Sequence, residues 1–182
     1  MGIISTRKKT LIAITFALLL STKAFAGFGI GIKAGGDLGN FNYWRVGATM
    51  GIGEMQGKPF IIDVLFYGNP DAGAFLLKPT FDWHALTLNM SIIQLYLGLG
   101  IGTEFLIKTA SWRVDDPFGF VLAARIPLGL KVFLQPVELF AEVTPQLGWE
   151  HASVTDLYSG YRITSNGFYW SIGLHAGARI WF

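Results

Sequence analysis

The chain ends in "FYWSIGLHAGARIWF", Phe168 to Phe182, and the reading of this stretch decides the fold. Every second residue from Phe168 is apolar: Phe168, Trp170, Ile172, Leu174, Ala176, Ala178, Ile180, Phe182. The other register reads Tyr169, Ser171, Gly173, His175, Gly177, Arg179, Trp181, which is mostly small or polar. A side-chain period of two is that of a β-strand, so one face of this strand is wholly apolar. In water such a face belongs to a core. In lipid it is the outside.

The other end of the chain bears on which solvent applies. Arg7, Lys8 and Lys9 precede the apolar run Leu11–Leu20, and "STKAFA" closes with the small residues Ala24 and Ala26. A basic start, a short apolar run and an A-x-A-like site predict a secretory signal peptide over 1–26. The run is too short for a membrane-spanning helix, which needs about 20 residues. The sequence has no cysteine, which excludes both disulfides and a lipidated cysteine after cleavage. Four of the 14 basic residues lie in this segment, leaving ten against 12 acidic residues over 27–182. No basic patch remains, so nucleic acid is not an expected partner. The length of 27–182 predicts one domain.

Alternation recurs along that domain. Eight segments carry it: 27–35, 44–54, 59–68, 81–91, 93–106, 118–134, 137–150 and 168–182. Each approaches or exceeds the 9–11 residues of a tilted membrane strand. One parity is apolar, as in Phe60, Ile62, Val64, Phe66 and in Leu95, Leu97, Leu99, Ile101; the other holds glycine runs such as Gly98, Gly100, Gly102. The fourth segment alternates less cleanly, with Leu86, Leu88 and Met90 placed outward and Thr87 and Asn89 inward. The gaps alternate too. Those at 36–43, 69–80, 107–117 and 151–167 are long, while "MQGK", the link at Ser91 and Ile92, and "QP" are short. Short turns on one side and long loops on the other are the habit of outer-membrane barrels. The expected fold is all-β: an eight-stranded antiparallel up-and-down transmembrane β-barrel. A closed ring leaves no strand edge unsatisfied in lipid. A soluble β-sandwich would need polar outer faces that these strands lack.

The opposite register gathers the strand charges. Lys33, Arg45, Arg125, Lys131 and Arg179 stand against Asp63, Glu104, Glu138, Glu142 and Glu150. Five cations and five anions in a lumen just wide enough for side chains predict a paired, plugged interior rather than a pore. A gated proton or ion path is the sharper alternative. Lys131 and Glu138 flank the "QP" turn, and Glu142 is expected within reach of Lys131 or Arg179. His175 reads as a lumen hydrogen-bonding group. Its separation from His84 and His151 gives no metal-ligand spacing, so neither metal nor cofactor is expected. Pro127 and Pro145 cannot donate to a ladder and predict bulges in strands six and seven.

From Tyr96 onward the text becomes more specific: "YLGLGIG", "ARIPLGLKVFL" (Ala124–Leu134) and "PVELFAEVTPQL" (Pro136–Leu147). The pattern R-x-P-x-G-L followed by P-x-E-x-F-x-E-x-x-P resembles an uncharacterised family of small bacterial outer-membrane barrels similar to the OmpA membrane domain. Arg125, Pro127, Gly129, Glu138, Phe140, Glu142 and Pro145 occupy its motif positions. The segment 151–167 departs from it, being longer and less acidic. The resemblance implies a fold and an outer-membrane location, not an activity. A terminal aromatic, Phe182, on the outward face also resembles the signal read by the outer-membrane barrel assembly machinery, with Trp181 expected at the membrane interface.

The leading expectation is a non-enzymatic outer-membrane protein, structural or interacting through its loops with an extracellular ligand, its other partners being membrane lipids. Tyr43, Trp112, Tyr158 and Tyr161 are candidate loop anchors or girdle aromatics. The rival is a lipid-modifying enzyme. His151 and Ser153 stand two apart in "WEHASVTD" with Glu150 and Asp156 near, and a serine activated by a histidine is the logic of acyl transfer. This His-x-Ser resembles that of lipid A deacylases. A passage for small hydrophobic molecules is a third option, which a charged lumen disfavours.

Overall fold

A computed structural model describes residues 27–39, 44–69, 74–108, 118–155 and 162–182. The expected signal segment 1–26 and the residues Tyr43, Trp112, Asp156, Tyr158 and Tyr161 lie outside it. Nine strands form one sheet: β1 (Phe28–Gly39), β2 (Trp44–Ile52), β3 (Phe60–Asn69), β4 (Ala74–Met90), β5 (Ile93–Lys108), β6 (Phe118–Arg125), β7 (Leu128–Leu134), β8 (Val137–Thr155) and β9 (Arg162–Trp181). All pairings are antiparallel, every sequential pair of strands except β6 and β7 is a pair of neighbours in the sheet, and β9 returns to β1, closing the ring. Strands β6 and β7 lie end to end between β5 and β8, so the barrel has eight staves.

That division corrects the expected single strand 118–134, and no bulge accompanies it. The pairs Gly100↔Arg125 and Leu97↔Leu128 are each three residues apart along both strands, so nothing is inserted at Ile126–Pro127. The ladder runs through the break: Gly98 N–H donates to the Pro127 carbonyl at 2.7 Å and Ile126 N–H to the Pro145 carbonyl at 3.0 Å. Strand β8 likewise passes Pro145, opposite Ile172, without a shift. Each proline removes one donor and keeps its acceptor, and its stave stays in register.

The bulge lies elsewhere. Trp83 faces Leu99 but Leu86 faces Leu97, so His84 and Ala85 together oppose Gly98. An extra residue inverts the side-chain parity beyond it. Before the bulge the even residues Leu76, Lys78, Thr80, Asp82 and His84 are buried; after it Leu86, Leu88 and Met90 are exposed. This is why the fourth segment alternated poorly. The strand also starts at Ala74, inside the expected loop 69–80.

The outside is apolar on every stave, from Ile30 and Ile32 on β1 to Leu174 and Ile180 on β9. Phe60 stacks on Phe81 and Trp83 there, with ring centroids 5.5 and 6.1 Å apart. The inside holds the charged residues together with Tyr96, Phe133, Phe140, Tyr169 and Trp181. Inward glycines leave room for the large rings. A methyl group on Gly129 would meet the Tyr96 Oη at 2.4 Å, and one on Gly177 the Phe140 Cζ at 2.5 Å. Trp181 corrects an expectation: it is 6% exposed and turned inward over Gly51, while Phe182 next to it is 77% exposed.

These glycines make a prediction about packing. In urea unfolding of the refolded barrel, Gly129→Ala should cost about 1–3 kcal/mol by overpacking against Tyr96. Gly167→Ala, where nothing lies within 4 Å of the new methyl, should change stability by less than about 1 kcal/mol.

Candidate functional site

The interior is the densest polar arrangement among the described residues, and the strand period builds it. Inward positions on neighbouring staves lie side by side, so charges two residues apart in sequence stack along the barrel axis. Besides the ten charges expected inward, Asp37, Lys78 and Asp82 are buried there, giving six cations and seven anions among the described residues. Sequence reasoning missed these three. Asp37 and Lys78 fell in presumed loops, and Asp82 had the wrong parity once the bulge went unseen. The signal was present in Phe75 to His84, where Lys78, Thr80, Asp82 and His84 alternate with Phe75, Leu77, Phe81 and Trp83 across Pro79.

Three layers of pairs follow the axis. Toward the loop end, the Arg45 guanidinium bonds both Asp37 and, at 3.0 Å, Glu104. Lys78 Nζ lies 2.5 Å from Asp37 and 2.8 Å from Glu104, and Tyr169 donates its hydroxyl to Glu104 at 3.2 Å. In the middle, Lys33 Nζ sits 2.5 Å from both Asp63 and Glu142. Tyr96 donates to Glu142 at 2.8 Å, and Thr49 to Asp63 at 2.5 Å. Arg125 grips Asp82 through Nε and Nη2 at 3.0 and 3.1 Å, in the fork geometry that suits a carboxylate. Toward the turn end, Arg179 reaches Glu138 at 2.5 Å and Thr49 at 2.7 Å, its guanidinium 4.0 Å from the centre of the Phe140 ring. The Trp181 indole N–H donates to Glu138 at 2.9 Å.

The expected partners of Glu142 are therefore corrected. It meets Lys33 and Tyr96, whereas Lys131 and Arg179 share Glu138, Lys131 at 3.8 Å. Glu142 and Arg179 project from adjacent staves, but Glu142 stands opposite His175, and Arg179 opposite Glu138. Glu150 is buried at the loop end of β8, opposite Val121 and Gly167. His175 lies between layers, its nitrogens 3.6 Å from Asp37 and 3.7 Å from Glu142; His84 stacks on Tyr96 with centroids 3.9 Å apart. No cluster of three metal-ligating side chains occurs among the described residues.

His151 of the His-x-Ser pair lies outside this interior, and the side chain of Ser153 is outside the described residues. His151 occupies an outward position of β8, opposite Phe120 and Asn166, and the backbone of Ser153 pairs with Thr164. Glu150 belongs to the inward register, so it does not share a face with His151. The carboxylate nearest in sequence is thus turned away from the imidazole it would have to orient. Asp156, the other candidate, lies outside the described residues.

A buried ion pair adds little net stability, because desolvation offsets attraction, yet a charge stranded by loss of its partner costs several kcal/mol. Asp82→Ala and Arg125→Ala should each destabilise the folded barrel by about 3–5 kcal/mol, and the double variant should recover part of that sum. Denaturant unfolding of all four proteins checks this. Strict additivity would show that the two side chains do not meet.

No protein-family model matches the sequence, and no curated protein matches it. Solved structures do. The chain is similar to Neisserial surface protein A, with 13% identity, a TM-score of 0.53, and coverage of 85% of this chain and 95% of that one. It is similar also to the N-terminal β-barrel domain of Pseudomonas aeruginosa OprF, with 16% identity, a TM-score of 0.50, and coverage of 84% and 97%. Both likenesses concern the fold.

Proposed function

We propose that this chain is an integral outer-membrane β-barrel without enzymatic activity, exported by residues 1–26, whose filled interior makes a rigid scaffold for interactions at its loop end. One observation carries the reading: the barrel is inverted, with apolar side chains outside on every stave and ion pairs inside. In water, exposing Trp44, Phe168, Ile32 and their neighbours would leave a band that aggregates; in a bilayer the same band is the solvated surface. Three layers of Arg and Lys paired with Asp and Glu across so narrow a lumen favour a closed interior over a passage. The outward place of His151 and the inward place of Glu150 weigh against the acyl-transfer alternative.

The orientation of the barrel follows from its connections. Cysteines at Asp71, Asp116 or Tyr158, on the long-loop side, should react with an impermeant maleimide added to intact cells. A cysteine at Gln56, in the β2–β3 turn, should react only after the cells are opened. Labelling of Gln56 alone would invert the model. In planar bilayers the wild-type barrel should show no porin-like steady conductance, and large stable channels would refute the plugged lumen.

Phe182 gives a separate test of assembly. Its side chain is exposed on the outward face, and its backbone closes the ring by exchanging hydrogen bonds with Phe28 at 2.8 and 3.3 Å. Phe182→Ala keeps that backbone and removes the outward ring. It should lower the amount of heat-modifiable folded barrel in the membrane while export proceeds normally. Wild-type levels of folded protein would exclude an assembly role for the ring.

A further inference from the structure

Three lysines are buried among the described residues, and they are not equivalent. Lys33 Nζ lies 2.5 Å from each of two carboxylates, and Lys78 Nζ lies 2.5 and 2.8 Å from another two. Lys131, at the turn end, is just as deeply buried, yet its ammonium has no hydrogen-bond partner among the described residues. Its carboxylate neighbour, Glu138, stands 3.8 Å away. Both oxygens of Glu138 are already engaged, one by Arg179 at 2.5 Å and the other by the Trp181 indole at 2.9 Å. A buried ammonium carries three donors and is costly to leave unmet, so acceptors for it have to be found at this end of the lumen.

Two further unpartnered atoms lie beside it. Gln94 is directly opposite Lys131 in the β5–β7 ladder, and both side chains are fully buried. Gln94 Nε2 donates to the Gln56 carbonyl at 2.8 Å and to Asn89 Oδ1 at 2.5 Å, which fixes the amide and leaves its Oε1 without a donor. His84 stacks on Tyr96 with ring centroids 3.9 Å apart, and its Nδ1 is likewise unpartnered. The Lys131 ammonium lies 5.1 Å from the centre of the same ring. One cation, one amide oxygen and one imidazole nitrogen thus gather around Tyr96, whose own hydroxyl is taken by Glu142 at 2.8 Å.

The connection between β2 and β3 closes this end. Gly53 leaves β2 with a φ of 124°, a backbone conformation that suits glycine. Its N–H donates to the Gly27 carbonyl at 3.1 Å, and the Pro59 carbonyl accepts from the His84 N–H at 3.1 Å. Between these ends the Gln56 carbonyl is held by Gln94 and, at 3.2 Å, by Asn89. The segment 53–59 is therefore tied to β4 and β5 as well as to the strands it joins, and it forms a strap over the turn end of the lumen. Behind it Lys131, Gln94 and His84 are at most 1% exposed.

We propose that Lys131, Gln94 and His84 form a binding site for a buried water molecule, sealed from the turn side by the strap 53–59. The chemistry of the three groups selects the ligand. An anion would accept from Lys131 but would face the oxygens of Gln94 and Glu138. A metal ion would meet the ammonium. Water accepts from Lys131 and donates to Gln94 Oε1 and to the neutral imidazole nitrogen of His84, and three such partners are usual for an internal water. The lumen is then divided. Its middle layer, where Lys33 and Arg125 hold carboxylates directly, is the dry seal, and the turn end below Tyr96 is wet.

The test uses the refolded full barrel, isotope-labelled at lysine and histidine, with bulk water as the probe. Magnetisation transfer from water should reach the carbon-bound hydrogens next to the Lys131 ammonium and those of the His84 ring, with the sign of a long-lived bound water. Lys78 is equally buried but bonded to Asp37 and Glu104, so it should show no such transfer. Lys131→Met keeps the length of the side chain and removes the cation, and the transfer to His84 should disappear. Asn89→Ala releases one of the two bonds on the strap and should speed exchange of the Lys131 ammonium hydrogens by up to about tenfold, leaving Lys78 unchanged. Should Lys131→Met fail to fold, the comparison of Lys131 with Lys78 in the wild type decides alone. No transfer at Lys131, or equal transfer at both lysines, would overturn the proposal. So would Lys131 signals that shift when chloride replaces a large organic anion in the buffer, which would assign the site to an anion.

Discussion

The constraint behind this structure is that hydrocarbon offers no partner for a backbone N–H or C=O. Every such group on a membrane stave must bond within the sheet, so the sheet must close. The closing seam runs along β1 and β9 from Gly29↔Trp181 to Gly39↔Ser171, with Phe28 and Phe182 exchanging two bonds at its end. The same demand explains how Pro127 and Pro145 are tolerated. A bulge at either site would leave further groups unpaired in the wall, whereas a plain substitution forfeits one donor each and lets both carbonyls accept. The bulge the barrel does have, at His84 and Ala85, falls near the turn end, and there the His84 N–H is taken by the Pro59 carbonyl.

Closure with eight staves leaves a narrow lumen, and its contents then set the register. A slip of one residue between two staves would turn Lys33, Asp63 or Arg179 into lipid and bring leucines inside. The ion pairs contribute less as net stabilisation than as a penalty on every other pairing. Glycine is the counterpart of this filling. Tyr96 lies over Gly129, Phe140 over Gly177 and Trp181 over Gly51, each ring using the space a side chain would occupy. A composition rich in glycine and aromatics and poor in charge, with 23 glycines and 15% aromatic residues, is what a filled, inverted barrel requires.

How much of this was legible in the sequence depended on which face was read. The apolar face announced itself wherever lipid enforced it, and the seven clean segments mapped onto staves. Reading became harder where that enforcement stopped or flipped. Strands β8 and β9 continue into the presumed loop 151–167 because, outside the bilayer, outward positions no longer need be apolar. The bulge hid Asp82, and with it Lys78, because alternation gives parity only between interruptions. Pairing was the least legible part. Glu142 was expected near Lys131 or Arg179, yet stave tilt carries it to Lys33 across the seam. Tilt is a property of the closed ring and has no trace in any one strand.

The same reasoning locates the part of the molecule free to vary. Within the membrane each position answers to lipid on one side or to the packed lumen on the other, and both demands are structural. Just beyond the level of Trp149 and Phe168 the facing pair is polar, His151 opposite Asn166, and nothing lies within 4 Å of where a side chain at Gly167 would begin. A strand persists there without either of the forces that shaped it lower down. The demands of lipid and of the packed lumen end at that boundary.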